Sequence, residues 1–260
     1  MLKGFQKTLA KRKYEISFQT WGSGDRIFLM LHGWGGSHRT FLPIRGFIPP
    51  DSTVYVPDLP GYGKSTAPDD IKLEEFATAI IDQTPIISND KPISIVGNCS
   101  GGAIGAEIAK IHPKIIQRLF ILDPFAYVPW YFKIFLAGQF GKNAYLATFG
   151  SSIGRYLTNK SLKSKRSGDV NLTSSFENID HEVSYKFFKM LCAVVAKDRY
   201  SNIDVPTELI YGEKTFGVVK SSITMLSNIW PEAQVRQLDG VGHLPIEEAP
   251  KKLASLVFAN

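Results

Sequence analysis

The chain has 260 residues, of which 44% are hydrophobic, and this is enough for one large α/β domain with a substantial core. The net charge of +6 is modest for this length, and no zinc-finger, RNP or helix-turn-helix pattern occurs, so we expect no nucleic-acid partner. Two cysteines are too few for a disulfide framework, and no apolar run approaches 18 residues, so we expect a cytoplasmic protein with no transmembrane segment.

Short apolar runs alternate with helical patterns along the first half of the chain. The runs predict buried strands at RIFLMLHG (26–33), STVYVPDLPGYG (52–63), PISIVG (92–97) and RLFILD (118–123). The helical patterns are KLEEFATAIIDQT (72–84) and GGAIGAEIAKIHP (101–113). Strands that alternate with helices predict a mostly parallel sheet with helices on both faces.

The alternation stops after Asp123. Residues 124–203 contain helical patterns rich in apolar and aromatic residues and a basic, polar stretch, but no strand pattern. The alternation then resumes with strands at 207–212 and 233–238 and with helices at 218–229 and from Pro245. We therefore predict one core domain, formed by residues 1–123 and 204–260, and a helical insertion at residues 124–203.

The motif Gly-Asn-Cys-Ser-Gly lies where a predicted strand meets a predicted helix. A nucleophile elbow needs this context, because the turn is so tight that residues two positions from the nucleophile must be small. Cys99 has Gly97 and Gly101 at those positions, whereas Ser100 would have Asn98 at one of them. A thiol at a helix N-terminus beside a histidine is favoured as the thiolate. We predict that Cys99 is the nucleophile; the alternative is a buried cysteine packed in a glycine-rich turn.

Two other turns carry groups that such a nucleophile needs. His243 lies in a glycine-rich loop between the last predicted strand and the last helix, and we predict that it is the general base. The turn LHGWGG follows the first predicted strand, so the backbone N–H of Trp34 and that of Ser100 are the expected oxyanion donors. We expect His32, in the first of these turns, to be structural.

The motifs HGWGG, PDLPGYGKS, GNCSG and GVGH together resemble those of the α/β-hydrolase superfamily, and the resemblance spans nearly the whole chain. The layout is similar to that of small esterases of the biotin-pathway type. The resemblance implies an α/β-hydrolase fold: a mostly parallel central sheet flanked by helices, with a helical cap inserted after the sixth strand. It also implies that nucleophile, acid and histidine follow in this order.

One position departs from the family pattern. The family commonly carries Gly-x-x-Asp after the penultimate strand, and here the last of these residues is Thr215. Some members carry the acid after the strand that follows the nucleophile helix, where this chain has Asp123, and we predict Asp123 as the acid. Glu213 is the alternative. A thiol forms an ion pair with histidine more readily than a hydroxyl does, so it needs less help from the acid.

The insertion indicates the kind of substrate. Its first part, residues 124–140, is dense in aromatic side chains, which predicts an apolar acyl group or ordinary packing of the insertion onto the core. A basic cluster follows, at Lys160, Lys163, Lys165 and Arg166. It suggests a small-molecule acyl substrate linked to coenzyme A or to a carrier, with a solvated loop as the alternative.

These features predict a hydrolase that cleaves an ester or thioester of an apolar carboxylic acid through a cysteine S-acyl intermediate. Acyl transfer to an alcohol or amine and non-catalytic ligand binding are the alternatives. The sequence has no dinucleotide fingerprint, P-loop or metal-ligand cluster, so we expect no cofactor and no metal. It makes no prediction about the oligomeric state.

Overall fold

The computed structural model describes residues 15–67, 69–85, 91–194 and 199–259, which build one seven-stranded sheet and its flanking helices. The strands are β1 (Phe18–Gly22), β2 (Arg26–Leu31), β3 (Ser52–Pro57), β4 (Ile93–Asn98), β5 (Ile116–Leu122), β6 (Thr207–Gly212) and β7 (Gln234–Leu238). Their order is β1-β3-β2-β4-β5-β6-β7. Only β1 is antiparallel to its neighbour, so the predicted mostly parallel sheet is confirmed.

Helices cover both faces of the sheet. They are α1 (Leu73–Gln83), α2 (Ser100–Ile111), α3 (Gly138–Tyr145), α4 (Ser152–Ser161), α5 (His181–Ala193), α6 (Gly217–Ile229), α7 (Pro245–Glu248) and α8 (Pro250–Val257). Shorter 3-10 helices lie at His38–Phe47, Pro113–Ile115, Trp130–Leu136, Lys163–Lys165 and Ser174–Phe176, and a π-turn lies at Leu146–Gly150. Among the described residues, none of these helices combines the length and the apolar character needed to cross a bilayer.

The core lies in two layers, one on each face of the sheet. Alternate side chains of β2 show the division: Leu29 and Leu31 pack in one cluster with α1, α2 and α6, while Phe28 and Met30 pack in the other with α8. A strand buried on both faces is a nearly continuous apolar run, and this is why strands β2 to β6 could be predicted from the sequence. The two layers hold the carboxyl ends of the parallel strands at one edge.

The first strand and the position of the insertion differ from the sequence analysis. Strand β1 was not predicted, because it is a short edge strand that is mostly exposed or half-buried and has no apolar run. The described residues between β5 and β6 form helices and turns but no strand. This segment therefore follows the fifth strand of the sheet and not the sixth, since only β1 to β3 precede β4 in the described chain.

Gly101, in the first turn of α2, tests how closely this helix packs on the sheet. A Cβ at Gly101 would lie 2.2 Å from the carbonyl oxygen of Leu31 and 2.6 Å from that of His32. Gly101→Ala should therefore lower the free energy of unfolding by about 1–3 kcal/mol, the usual cost of forcing a methyl group into a packed interior. Urea denaturation followed by circular dichroism measures this change.

Gly217 provides the matched control, because it lies in the first turn of α6 and a Cβ there would meet no atom within 4 Å. Gly217→Ala should leave the stability unchanged or raise it by up to about 1 kcal/mol, since alanine is the better helix former. Equal stability of the two variants would contradict the packing argument.

Candidate active site

Four chemically important side chains meet at the carboxyl edge of the sheet. Cys99 follows β4, Asp123 follows β5, Thr215 follows β6 and His243 follows β7. Parallel strands bring the ends of consecutive strands together at one edge, and in open α/β sheets ligands bind there. Residues that are far apart in the chain therefore lie within hydrogen-bond distance of one another.

Cys99 occupies a strained turn between β4 and α2. Its φ of 53° and ψ of −116° lie in a region that residues other than glycine rarely adopt. Its N–H donates to the carbonyl of Leu122 at 2.7 Å, which ties the turn to β5. Gly97 must be glycine, because a Cβ there would lie 2.5 Å from the Cα of Gly102. The thiol is half-buried at the N-terminus of α2.

His243 lies between Cys99 and Asp123. Its Nδ1 donates to Asp123 Oδ2 at 2.8 Å, and the Cys99 side chain lies near the ring. Burial lowers the pKa of His243, but the interactions with Asp123 and Cys99 outweigh burial and raise the pKa from 6.5 to about 10. The site therefore favours the protonated imidazolium form of His243.

The Asp123 carboxylate is fully buried and has three hydrogen-bond donors. Its Oδ1 accepts from the N–H of Gly212 at 2.9 Å, and its Oδ2 accepts from Thr215 Oγ1 at 2.6 Å as well as from His243. Thr215 Oγ1 lies only 3.2 Å from His243 Nδ1. Sequence reasoning treated Thr215 as a missing acid and did not predict that its hydroxyl would support the acid after β5.

Glu213, the alternative acid, points elsewhere. It is exposed, and its Oε2 accepts from the N–H of Gly240 at 2.7 Å. Within the described residues it forms no hydrogen bond with His243. The structure thus brings Asp123, and not Glu213, to the imidazole.

The loop after β2 brings the backbone next to Trp34, one of the two expected oxyanion donors, beside Cys99. A Cβ on Gly33 would lie 3.1 Å from the Cβ of Cys99, so this turn packs directly on the elbow. In the described part of the chain, the N–H groups of Trp34 and Ser100 have no hydrogen-bond acceptor. Two unpaired N–H groups beside a nucleophile are the arrangement that an oxyanion requires.

His32 is structural, as its position in the turn suggested. It is fully buried, its Nδ1 donates to the carbonyl of Gly33 at 2.9 Å, and its Nε2 accepts from the N–H of Leu59 at 2.9 Å. Burial lowers its pKa to about 4, so the ring is neutral. It joins the loops after β2 and β3 and fixes the backbone that carries the Trp34 N–H.

Glu248 fixes the loop of His243, and sequence reasoning missed it. Its carboxylate accepts from the N–H groups of Gly242 at 2.6 Å and Leu244 at 3.1 Å, the two neighbours of His243. It also accepts from the N–H of Ser167 at 2.8 Å. The N–H of His243 donates to the carbonyl of Lys165 at 2.9 Å, so the segment between β5 and β6 is attached directly to the histidine loop.

Cys99 lines two substantial cavities and a third of only about 20 Å³. The larger of the two has a volume of about 450 Å³, within the range of small-molecule sites. Its apolar lining includes Trp34, Phe125, Phe132, Phe135, Phe149 and Phe176. The smaller, of about 80 Å³, is mainly apolar and is lined by Cys99, Ala103 and Phe188 among others. Across the described ranges, no group of three or more His, Cys, Asp or Glu side chains could hold a metal ion.

The sequence is similar to a known family and to curated proteins over nearly its whole length. The sequence profile of the family described as alpha/beta hydrolase fold matches residues 26–250. The pimeloyl-[acyl-carrier protein] methyl ester esterases of Yersinia pseudotuberculosis and Salmonella agona are each 24% identical to this chain, over 255 and 249 residues. These matches cover 94% and 91% of this chain, and 96% and 94% of the two esterases.

Solved structures show the same fold. The enol-lactonase from Burkholderia xenovorans superimposes with a TM-score of 0.74 at 15% identity, covering 94% of this chain and 95% of the lactonase. A hydrolase from Pseudomonas aeruginosa also gives 0.74 at 15% identity, covering 93% of this chain and 92% of that chain. The chain therefore belongs to the α/β-hydrolase fold family, as its motifs predicted.

Proposed function

We propose that the protein hydrolyses carboxylic esters, with Cys99 as the nucleophile, His243 as the general acid and base, and Asp123 as the residue that orients the imidazole. The observation that carries this proposal is the series Cys99–His243–Asp123: Cys99 and His243 line the same 450 Å³ cavity, and Asp123 accepts a hydrogen bond from the imidazole. An intact series of this kind argues against a protein that only binds its ligand, since binding alone does not require a nucleophile.

In the first half of the reaction, the Cys99 thiolate attacks the carbonyl carbon of the ester. A C–S bond forms, and the negative charge that develops on the carbonyl oxygen is stabilised by the N–H groups of Trp34 and Ser100. The intermediate then collapses and the C–O bond to the alcohol breaks. The His243 imidazolium gives its proton to the departing alkoxide, which leaves as the alcohol.

In the second half, neutral His243 takes a proton from water as the water attacks the S-acyl carbon. The C–S bond breaks, the acid leaves and the thiolate is regenerated beside the imidazolium. Asp123 stays ionised throughout: its contact with Nδ1 directs Nε2 towards the thiol and stabilises the positive ring.

We propose that residues 124–203 form a cap that shapes the substrate site. The large cavity takes the acid portion, because aromatic side chains of this segment line it, and the small one takes a short alcohol. The names of the relatives describe an ester of a short alcohol, methanol, on a carrier-linked acid. A substrate of this class, an ester of an apolar acid that is free or carrier-linked, fits both cavities.

Cys99→Ala should abolish both turnover of a p-nitrophenyl ester and inactivation by iodoacetamide, because it removes the nucleophile. Cys192→Ala is the matched control: this half-buried cysteine lies on α5, where burial raises the pKa of its thiol to about 12 and makes it a poor nucleophile. Mass spectrometry after incubation with an ester should find the acyl group on Cys99. Wild-type turnover by Cys99→Ala would disprove the role of this residue.

The raised pKa of His243 predicts the alkaline side of the pH profile. The imidazolium should persist until the pH approaches 10, so kcat/KM should hold from neutral pH and fall only near that value. Asp123→Asn removes a negative partner and should move the fall to lower pH. It should also reduce kcat/KM by less than the ~10⁴-fold that this change costs a serine triad.

Thr215→Val is the companion variant, since it removes the hydroxyl donor but keeps the carboxylate beside the ring. The pH at which its kcat/KM falls should stay near that of the wild type, because the negative charge beside the imidazole is unchanged. If Asp123→Asn and wild type lose activity at the same pH, Asp123 does not set the charge of His243.

The size of the large cavity predicts a preference for longer acids. Each added methylene of the acyl group should raise kcat/KM about fourfold until the cavity is full, since burial of a methylene contributes ~0.8 kcal/mol. Turnover of p-nitrophenyl esters of increasing acyl length measures this. A steady decline from acetyl onwards would show that the acid portion does not enter the cavity.

Thr148→Phe should shorten the preferred acyl chain, because Thr148 lines the large cavity. Thr224→Phe is its control, because this exposed threonine on α6 lies outside the cavity. The two positions are matched, since the hydroxyl of Thr148 and that of Thr224 each donate to the carbonyl four residues earlier. The control should keep the wild-type preference.

A further inference from the structure

The outer surface of the segment between β5 and β6 is unusually apolar. Of the twelve large apolar side chains that are exposed in the described residues, eight lie within residues 130–157. The most exposed are Trp130 at 81%, Ile153 at 72% and Phe140 at 68%. The others are Tyr131, Ile134, Leu136, Tyr156 and Leu157. We call these eight side chains the apolar outer face; clusters of this kind on a protein surface mark interaction sites.

The elements that carry the apolar outer face are packed in series. The 3-10 helix Trp130–Leu136 packs on α3, and the π-turn Leu146–Gly150 packs on both α3 and α4. Helix α4 has no buried residue, and its large apolar side chains, Ile153, Tyr156 and Leu157, all face solvent. Packing within the protein therefore does not account for the apolar residues of this helix.

The same segment is strongly basic. Residues 124–168 contain seven lysines and arginines and no aspartate or glutamate. Within the described residues, Lys133, Lys160 and Lys163 form no ion pair. Residues 124–203 hold eleven basic and five acidic residues, a net charge of +6 that equals the net charge of the whole chain. The positive charge is thus concentrated in the segment that carries the apolar outer face.

We propose that the apolar outer face docks on an anionic membrane surface. Exposed tryptophan, tyrosine and aliphatic side chains enter the interface between headgroups and acyl chains, while neighbouring lysines approach the lipid phosphates. Charge complementarity selects this occupant, since residues 124–168, which carry the whole apolar outer face, offer cations and no acid. The cores of protein–protein interfaces, by contrast, are depleted in lysine. The proposal is independent of the chemistry at Cys99.

The apolar outer face lies next to the wall of the large cavity, so docking would bring this cavity close to the bilayer. Tyr131 and Thr158 line this cavity, and they adjoin Trp130 and Leu157 in the chain. A protein held on a bilayer by this face would have the cavity wall next to the lipid, where apolar esters accumulate. Docking would therefore shorten the path of such a substrate to Cys99.

Flotation with vesicles tests the proposal without any need for turnover. The full chain should float with vesicles of phosphatidylcholine mixed with phosphatidylglycerol, bind much less to phosphatidylcholine alone, and be released by salt. The variant Trp130→Ser/Ile153→Ser/Tyr156→Ser should bind at least about tenfold more weakly, since several buried carbon atoms are lost at each position. Lys160→Gln/Lys163→Gln should weaken binding about fivefold per lysine on the mixed vesicles.

Two exposed apolar residues outside the face provide the control. Leu42 and Val235 are 46% and 45% exposed, and Leu42→Ser/Val235→Ser should bind as the wild type does. Each variant should also hydrolyse a soluble ester at the wild-type rate, which shows that the fold is intact. Cys99→Ala should float like the wild type, so failure of the catalytic proposal and failure of docking are distinguishable.

Four results would overturn the proposal. The first is no binding to the mixed vesicles, and the second is equal binding by the triple serine variant and the control. The third is a wild-type oligomer, seen by light scattering, that the triple variant abolishes, which would assign the face to a second copy of the chain. Loss of turnover by that variant only on an ester linked to purified acyl carrier protein, without vesicle binding, would assign it to an acidic protein partner.

Discussion

The Asp123 carboxylate is fully buried at the end of β5, and a buried carboxylate is stable only when donors replace the water it has lost. Its donors come from two other strand ends: Gly212 is the last residue of β6 and Thr215 follows it, and His243 follows β7. One charge therefore fixes the relative positions of three strand ends. Because His243 is held through the same carboxylate, the direction of its ring towards Cys99 depends on this contact.

This chain has an aspartate after β5 and a threonine after β6, where the family commonly has its aspartate. The contact at His243 explains why these two residues are compatible. Asp123 Oδ2 and Thr215 Oγ1 lie 2.8 Å and 3.2 Å from His243 Nδ1, so both side chains reach the same nitrogen. An aspartate at position 215 would bring a second negative charge beside the first, and two carboxylates in one site repel each other. A hydroxyl donates to the carboxylate instead. Once the acid lies after β5, threonine is a compatible residue after β6.

Features that depend on neighbouring residues could be predicted from the sequence, and those that depend on distant contacts could not. Strands β2 to β6 are apolar runs, and the elbow at Cys99 is marked by glycines two positions away on either side. By contrast, β1 is an edge strand whose partner defines it. Thr215 lies 92 residues from Asp123, and Glu248 lies 81 residues from Ser167. No local pattern links these pairs, so only the fold shows that they meet.

Glu248 makes the loop of the imidazole and the segment between β5 and β6 parts of one assembly. Its carboxylate holds the backbone on both sides of His243 and also the N–H of Ser167, while Lys165 accepts from His243 itself. Lys165 lies four residues after the end of α4, the helix whose Tyr156 side chain is exposed to solvent. This segment cannot move away from the histidine loop without breaking these hydrogen bonds. If the proposed function holds, the ester therefore reaches Cys99 past the aromatic lining of the large cavity while the segment stays attached.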